Sequence, residues 1–251
     1  MLIVEGVFIE LKRRKDVYVF AMLIAVFCVG ALAVRRAGVT TDATGAFVLN
    51  LGLTLAYVFA QILTLTLAAR QIPTDIEQRT IYPVLARPIS RGDYLIGKWV
   101  ACCLCGTVTY GIFFSCIWAA SHSLSANEAT LVPQLVILVA LSLCLTAAMA
   151  LCLSLLMAQA LVVVLVGGWI FLGHSFVRTV SAMTDAGGMQ RALDWVLAYL
   201  PQFSKLNLTT RYTDGIEALA PSLFGGLTVY ALFYTALVLW GGRLLLMRRT
   251  L

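Results

Sequence analysis

The chain has 251 residues, of which 61% are hydrophobic and only 12% are charged, and its mean hydropathy is +0.93. Soluble globular proteins carry roughly 45–50% apolar and about 25% charged residues, so this composition excludes an ordinary soluble domain. The net charge of +6 comes from 18 Lys and Arg residues in short clusters between apolar runs. That pattern is typical of membrane topology signals and argues against nucleic acid as a partner.

Six apolar runs follow one another along the chain, each near the length of about 20 residues that a membrane-spanning helix needs. They are predicted at residues 17–34, 46–69, 99–120, 131–156, 160–177 and 223–239. Only Met157–Gln159 separates runs four and five, and we expect a tight helical hairpin there because one continuous helix would be about twice as long as a bilayer is thick. The predicted fold class is all-α, a single polytopic transmembrane domain over residues 1–251.

Three segments outside these runs have their own character. Residues 1–15 carry apolar side chains at helical spacing beside a basic end, which predicts an amphipathic helix on the membrane surface, in contact with lipid. Residues 70–98 and 178–221 are the two long connections. Two thirds of the 18 Lys and Arg residues fall on the side of the N terminus, so the positive-inside rule predicts both termini in the cytoplasm.

Titratable residues that could converge into a catalytic site are sparse. His122 and His174 have no partner nearby in sequence, and the central parts of the spans hold no charged residue, which argues against an enzyme and against an ion-coupled carrier. Gly92–Lys98 matches the opening of a phosphate-binding loop, but Trp99 stands where Ser or Thr is required. We therefore expect no catalytic residue, no bound cofactor and no ATPase site in this chain.

The seven cysteines all lie in or beside apolar runs. Cys102, Cys103 and Cys105 are close enough in sequence to raise the question of a soft-metal site. No His or carboxylate accompanies them at ligand spacing, so the sequence favours packing as small apolar side chains over metal binding.

The connection 70–98 is the most informative segment. It is longer than a turn requires, partly amphipathic, and divided by Pro83 and Pro88. Two interpretations stay open on these grounds: a docking face for a soluble partner, and a passive connector near lipid headgroups.

A motif within this connection resembles the signature of type-2 ABC exporter permeases, the family that includes the nitrous-oxide-reductase accessory permease. The motif consists of Glu77-x-x-Thr80, Leu85-Ala86-Arg87-Pro88-Ile89-Ser90-Arg91 and Tyr94-x-x-Gly97-Lys98. Tyr199–Phe203 with Leu206–Leu208 is similar to the outer-loop pattern of the same family, and six spans fit it as well. At one point the chain departs from the family, because Gln78-Arg79 replace its more continuous acidic-Gly-Thr sequence.

The resemblance implies a coupling helix between spans two and three that docks on a separate ATPase subunit, which would hold the ATP and Mg. The residues expected to couple the two subunits are Glu77, Arg79, Thr80, Leu85, Arg87, Pro88, Arg91, Gly97 and Lys98. A second permease, either another copy or a related chain, would complete the unit in the bacterial inner membrane. The function of the assembled permease and ATPase subunits would be export driven by ATP hydrolysis.

Span two carries three polar residues, Gln61, Thr64 and Thr66. They would face the permease dimer interface or the transport pathway, although membrane helices also turn such groups inward for packing. Two alternative functions remain open: a non-transporting module that transmits ATPase-driven force to an outer partner at residues 178–221, and an ATP-independent carrier.

Overall fold

The computed structural model describes residues 22, 29–30, 42–77, 91–121, 128–183, 200–214 and 216–248; of residues 42–48, 91, 119–121, 128–129, 174–183 and 248 it describes only the backbone. Within this part of the chain about 90% of residues are helical and none lies in a strand. The longer elements are α1 (Asp42–Glu77), α2 (Arg91–Ser121), α3 (Glu128–Ser154), α4 (Gln159–Met183) and α6 (Pro221–Arg248). Between α4 and α6 lie a 3₁₀ helix (Phe203–Leu206) and the short α5 (Thr209–Thr213).

Four of the helices are long and apolar enough to cross a membrane. The qualifying stretches are Leu49–Glu77, Gly92–Trp118, Thr130–Ser154 and Pro221–Met247, and a shorter apolar helix covers Gln159–Gly173. These helices make the protein all-α and membrane-embedded, with several passes. The predicted first span and the predicted surface helix at 1–15 lie, apart from residues 22 and 29–30, outside the described residues.

The predicted hairpin between runs four and five is confirmed. α3 ends at Ser154 and α4 begins at Gln159. In the turn, the backbone N–H groups of Leu156 and Met157 both donate to the carbonyl oxygen of Leu153, at 2.9 and 3.0 Å. These bonds satisfy a carbonyl group that the end of a helix would otherwise leave without a partner.

The predicted connection 70–98 is helical at both of its ends, because both flanking helices continue into it. α1 runs on to Glu77 and α2 starts at Arg91. The 36 residues of α1 rise about 54 Å, well beyond a hydrocarbon core of about 30 Å. The polar residues from Arg70 onward therefore mark where α1 leaves the apolar layer and do not mark the end of the helix. The helix continues through Pro73, a residue that often ends a helix.

The helices pack around α1, which contacts α2, α3, α4 and α5. α6 lies mainly against α3. Only 11% of the apolar stretch of α6 is buried within the chain, against 61% for α1. Its outward side chains are large and apolar, for example Val229 and Trp240, as expected for a helix with lipid on one side.

A segment that we call the cap, residues 200–213, covers the end of the bundle where α1 and α3 begin. The indole Nε1 of Trp169 donates to the Pro201 carbonyl at 2.9 Å, and the Gln202 N–H donates to the Tyr230 hydroxyl at 3.0 Å. Three buried apolar side chains of the cap join the core of the bundle: Phe203, Leu206 and Leu208. The outer-loop pattern in the sequence thus contains the residues that seal this end.

α1 and α2 are in close contact at Gly106. A Cβ atom added to Gly106 would clash with the Thr64 hydroxyl oxygen, at a separation that non-bonded heavy atoms do not adopt. The Thr64 hydroxyl is fixed in place, because it donates to the Ala60 carbonyl at 2.8 Å. Only glycine therefore lets the two helices meet at this level.

We expect Gly106→Ala to lower the free energy of unfolding by about 1–3 kcal/mol, as overpacking of a tight interior does. Thermal unfolding of the purified protein in detergent measures the effect. Gly111→Ala is the matched control on the same helix, since a Cβ there meets nothing within 4 Å. The double variant Gly106→Ala/Thr64→Ala should recover most of the loss. Equal effects of the two alanine substitutions would contradict the close contact.

Candidate functional site

Four polar side chains join α1 and α2 beside the connection 78–90, and we call this group the clamp. The Lys98 ammonium nitrogen lies 2.9 Å from Asp75 Oδ2 and donates to Gln71 Oε1 at 2.8 Å. The Tyr94 hydroxyl donates to the same Asp75 oxygen, and the Tyr94 ring lies 5.9 Å from the Lys98 nitrogen. One carboxylate and one ammonium thus share a site with two neutral groups that complete their hydrogen bonds.

The clamp follows from the local helical spacing. Gln71 and Asp75 are four residues apart on α1, and so are Tyr94 and Lys98 on α2, which places each pair on one helical face. Because α1 and α2 run antiparallel, the two faces meet. The signal was available in the sequence, but Gln71, Asp75 and Tyr94 were not predicted as site residues, since the segment was interpreted as a connection and not as two facing helices.

The clamp is largely withdrawn from solvent. Lys98 is 8% exposed and Tyr94 only 2%, while the Asp75 side chain is 18% exposed. An unpaired charge in such a place costs several kcal/mol, so each charged group depends on the other for its burial. The clamp therefore fixes how α1 and α2 sit against each other at the base of the connection.

The structure describes only some of the predicted coupling residues. Glu77 is exposed at the end of α1, and Gly97 is half-buried on α2. Lys98, predicted as one of the docking and hinge residues, points into the bundle toward Asp75. For Arg91 only the backbone is described. The other predicted coupling residues lie outside the described part: Arg79, Thr80, Leu85, Arg87 and Pro88.

A second polar group lies deeper, between α1 and α3, and we call it the Gln61 network. Gln61 Nε2 donates to Ser142 Oγ at 2.9 Å, and Thr146 Oγ1 donates to Gln61 Oε1 at 2.6 Å. All three residues are 0% exposed. The Tyr57 hydroxyl lies close to Gln61 and Ser142. Gln61 was predicted to face a dimer interface or pathway, and in the single chain it faces α3.

The two threonines predicted with Gln61 bond within their own helix. The Thr64 hydroxyl donates to the Ala60 carbonyl, and the Thr66 hydroxyl donates to the Ile62 carbonyl at 2.8 Å. Thr64 is 0% exposed and lies against Gly106, whereas Thr66 is half-buried. A role of these residues in a pathway or between two permeases stays a prediction.

Two sequence features that resembled ligand sites have plain structural surroundings. Gly92–Lys98, the match to a phosphate-binding loop, forms the first turns of α2, and its lysine belongs to the clamp. Cys102, Cys103 and Cys105 are buried free thiols. Across the described ranges, no three His, Cys, Asp or Glu side chains are grouped closely enough to hold a metal ion.

The fold, with its four membrane-length helices and polar contacts between them, defines the class: a helical multi-pass membrane protein. A family model described as "Protein of unknown function (DUF2705)" matches residues 8–215. This match covers most of the chain, so the protein belongs to the DUF2705 family. No curated protein matches it.

The clamp predicts a strong energetic coupling between Asp75 and Lys98. We expect Lys98→Met and Asp75→Leu each to lower the free energy of unfolding by about 1–4 kcal/mol, because each leaves one charge without its partner. The double variant should lose much less free energy of unfolding than the sum of the losses in the two single variants. A double-mutant cycle of thermal unfolding in detergent measures this, with the exposed Arg243→Met as control. Additive losses would show that the two charges do not depend on each other.

The Gln61 network predicts an asymmetry between its partners. Ser142→Ala leaves one Gln61 N–H without its acceptor, and we expect it to lower the free energy of unfolding by about 1–3 kcal/mol. Gln61→Leu should cost less than about 1 kcal/mol. The reason is that the Ser142 hydroxyl keeps its bond to the Val139 carbonyl at 2.8 Å, and the Thr146 hydroxyl, released from Gln61, can donate to the Ser142 carbonyl 2.9 Å away. Thermal unfolding of both variants in detergent measures the two losses. A larger loss of free energy of unfolding for Gln61→Leu than for Ser142→Ala would contradict this account.

Proposed function

We propose that this protein is the membrane-spanning permease subunit of an ATP-driven exporter, working with a separate ATPase subunit. The proposal rests on the likeness of residues 77–98 to the coupling motif of type-2 ABC exporter permeases and on the position of the clamp. It includes six membrane spans, both termini in the cytoplasm of a bacterial cell, and a second permease as partner.

The observation that carries the proposal is the clamp at the base of residues 78–90. A force applied to that segment reaches α1 at Glu77 and α2 at Arg91. Since Asp75 and Lys98 tie these two helix ends together, α1 and α2 would move as one body and not bend apart. This is the property that a coupling segment needs in order to pass a rigid-body movement from a soluble ATPase into a membrane bundle.

Force transmission to an outer partner is the second candidate, and the cap supports it. Trp169 on α4 and Tyr230 on α6 both bond to the backbone of the cap, through Pro201 and Gln202. A shift of these helices would therefore reach the cap directly. In this version the same ATPase-driven movement serves a protein on the outer face and moves no substrate across the membrane.

Affinity purification from the native host tests the proposal. We expect the tagged chain to co-purify with an ATPase subunit in mild detergent, and Glu77→Ala/Arg87→Ala to lose that subunit or to uncouple its ATP hydrolysis. Glu77 suits the test because it is exposed and makes no part of the clamp. The expected loss is at least tenfold in recovered ATPase activity, which corresponds to about 1.4 kcal/mol of binding.

Lys205→Ala is the control, because Lys205 is an exposed cation on the cap, at the other end of the bundle. It should retain the ATPase subunit at the wild-type level. Purification of the chain alone, with no response to nucleotide, would contradict the proposal and favour an ATP-independent carrier.

A further inference from the structure

One buried hydroxyl in the bundle lacks a partner in the described part of the chain. Tyr110 on α2 is 2% exposed, and its hydroxyl oxygen makes no hydrogen bond with any described residue. The ring itself is well packed, with its centroid 6.1 Å from that of Phe114. A buried phenol normally finds a hydrogen-bond partner, so this hydroxyl requires an explanation.

The register of α1 and α2 places Tyr110 at the level of the Gln61 network. Gly106 meets Thr64, and the Phe113 ring stacks on the Phe59 ring with centroids 6.0 Å apart. Tyr110 lies between those two contacts on α2, and therefore level with residues 60–61 on α1. Tyr110 also shares one core cluster with Tyr57, whose hydroxyl lies close to Gln61 and Ser142 of the Gln61 network.

The chemistry of this layer is polar and uncharged. Gln61, Ser142 and Thr146 are all fully buried, and each contributes a neutral donor or acceptor. A charged ligand would meet no described counter-ion there and would pay a large desolvation penalty. A neutral ligand that both donates and accepts hydrogen bonds suits the unpartnered Tyr110 hydroxyl.

We propose that the layer of Tyr57, Gln61 and Tyr110 holds an internal water molecule, bonded to the Tyr110 hydroxyl and to the Gln61 network. Water is the smallest ligand that satisfies a phenol, and buried side chains such as Leu135 and Leu138 belong to the same core cluster as Tyr57 and Tyr110. Globular proteins contain on the order of one such buried water per 27 residues, at sites where protein polar groups lack partners. The inference is independent of the exporter proposal.

Two measurements on the full-length protein in detergent test the water site together. The first is thermal unfolding of Tyr110→Phe, which we expect to melt about 1–6 °C below the wild type because the water loses one of its bonds. Tyr230→Phe is the benchmark, since it removes a hydroxyl whose bond to the Gln202 N–H is described. The second is an experimental structure at a resolution that shows ordered water.

The proposal holds if Tyr110→Phe melts lower and a separate density peak lies within hydrogen-bonding distance of the Tyr110 oxygen. An unchanged or raised melting temperature overturns it, because removing a dry, unpartnered hydroxyl relieves a penalty. A lower melting temperature also overturns it when the structure shows a protein atom, or no density, at that position. The partner would then be another part of the chain.

Discussion

Polar side chains between membrane helices have to find their partners inside the bundle, because neither lipid nor packed apolar groups offer a hydrogen bond. This constraint fixes the register of the helices around α1. Gln61 bonds with Ser142 and Thr146 at one offset of α1 against α3. Asp75 meets Lys98 at one offset of α1 against α2. A slip of one residue turns a helix by about 100° and would leave each of these groups unpaired.

Apolar packing alone would specify this arrangement less well. Most of the core consists of leucine, alanine and other aliphatic side chains, which accept several alternative registers at similar energy. The polar groups remove those alternatives because an unsatisfied amide or charge is expensive. The contact between Gly106 and Thr64 also selects one register, because the close approach of the two helices requires a glycine at that position of α2. Together these contacts place α1, α2 and α3 relative to each other.

The sequence predicted the fold class and one sharp boundary well, for reasons that individual segments make clear. Composition and the lengths of the apolar runs were enough to predict a helical membrane protein. The break at Met157–Gln159 was enough to predict the hairpin. Both features depend on local hydrophobicity. The continuation of α1 to Glu77 and the start of α2 at Arg91 were missed. In these stretches Asp75 pairs with Lys98 across the two helices, a non-local contact that hydropathy does not report. The unpartnered hydroxyl of Tyr110 likewise emerges only from the packing around it.

The two ends of the bundle are held by interactions of different range. At the clamp, hydrogen bonds of Gln71 and Tyr94 accompany the attraction between Asp75 and Lys98, whose Coulomb term falls only as the inverse of distance and therefore weakens gradually with separation. At the cap, Trp169 and Tyr230 hold backbone groups through hydrogen bonds, which weaken steeply once the geometry is lost. The clamp end can therefore be displaced slightly without coming apart, while the cap end moves with α4 and α6 or separates.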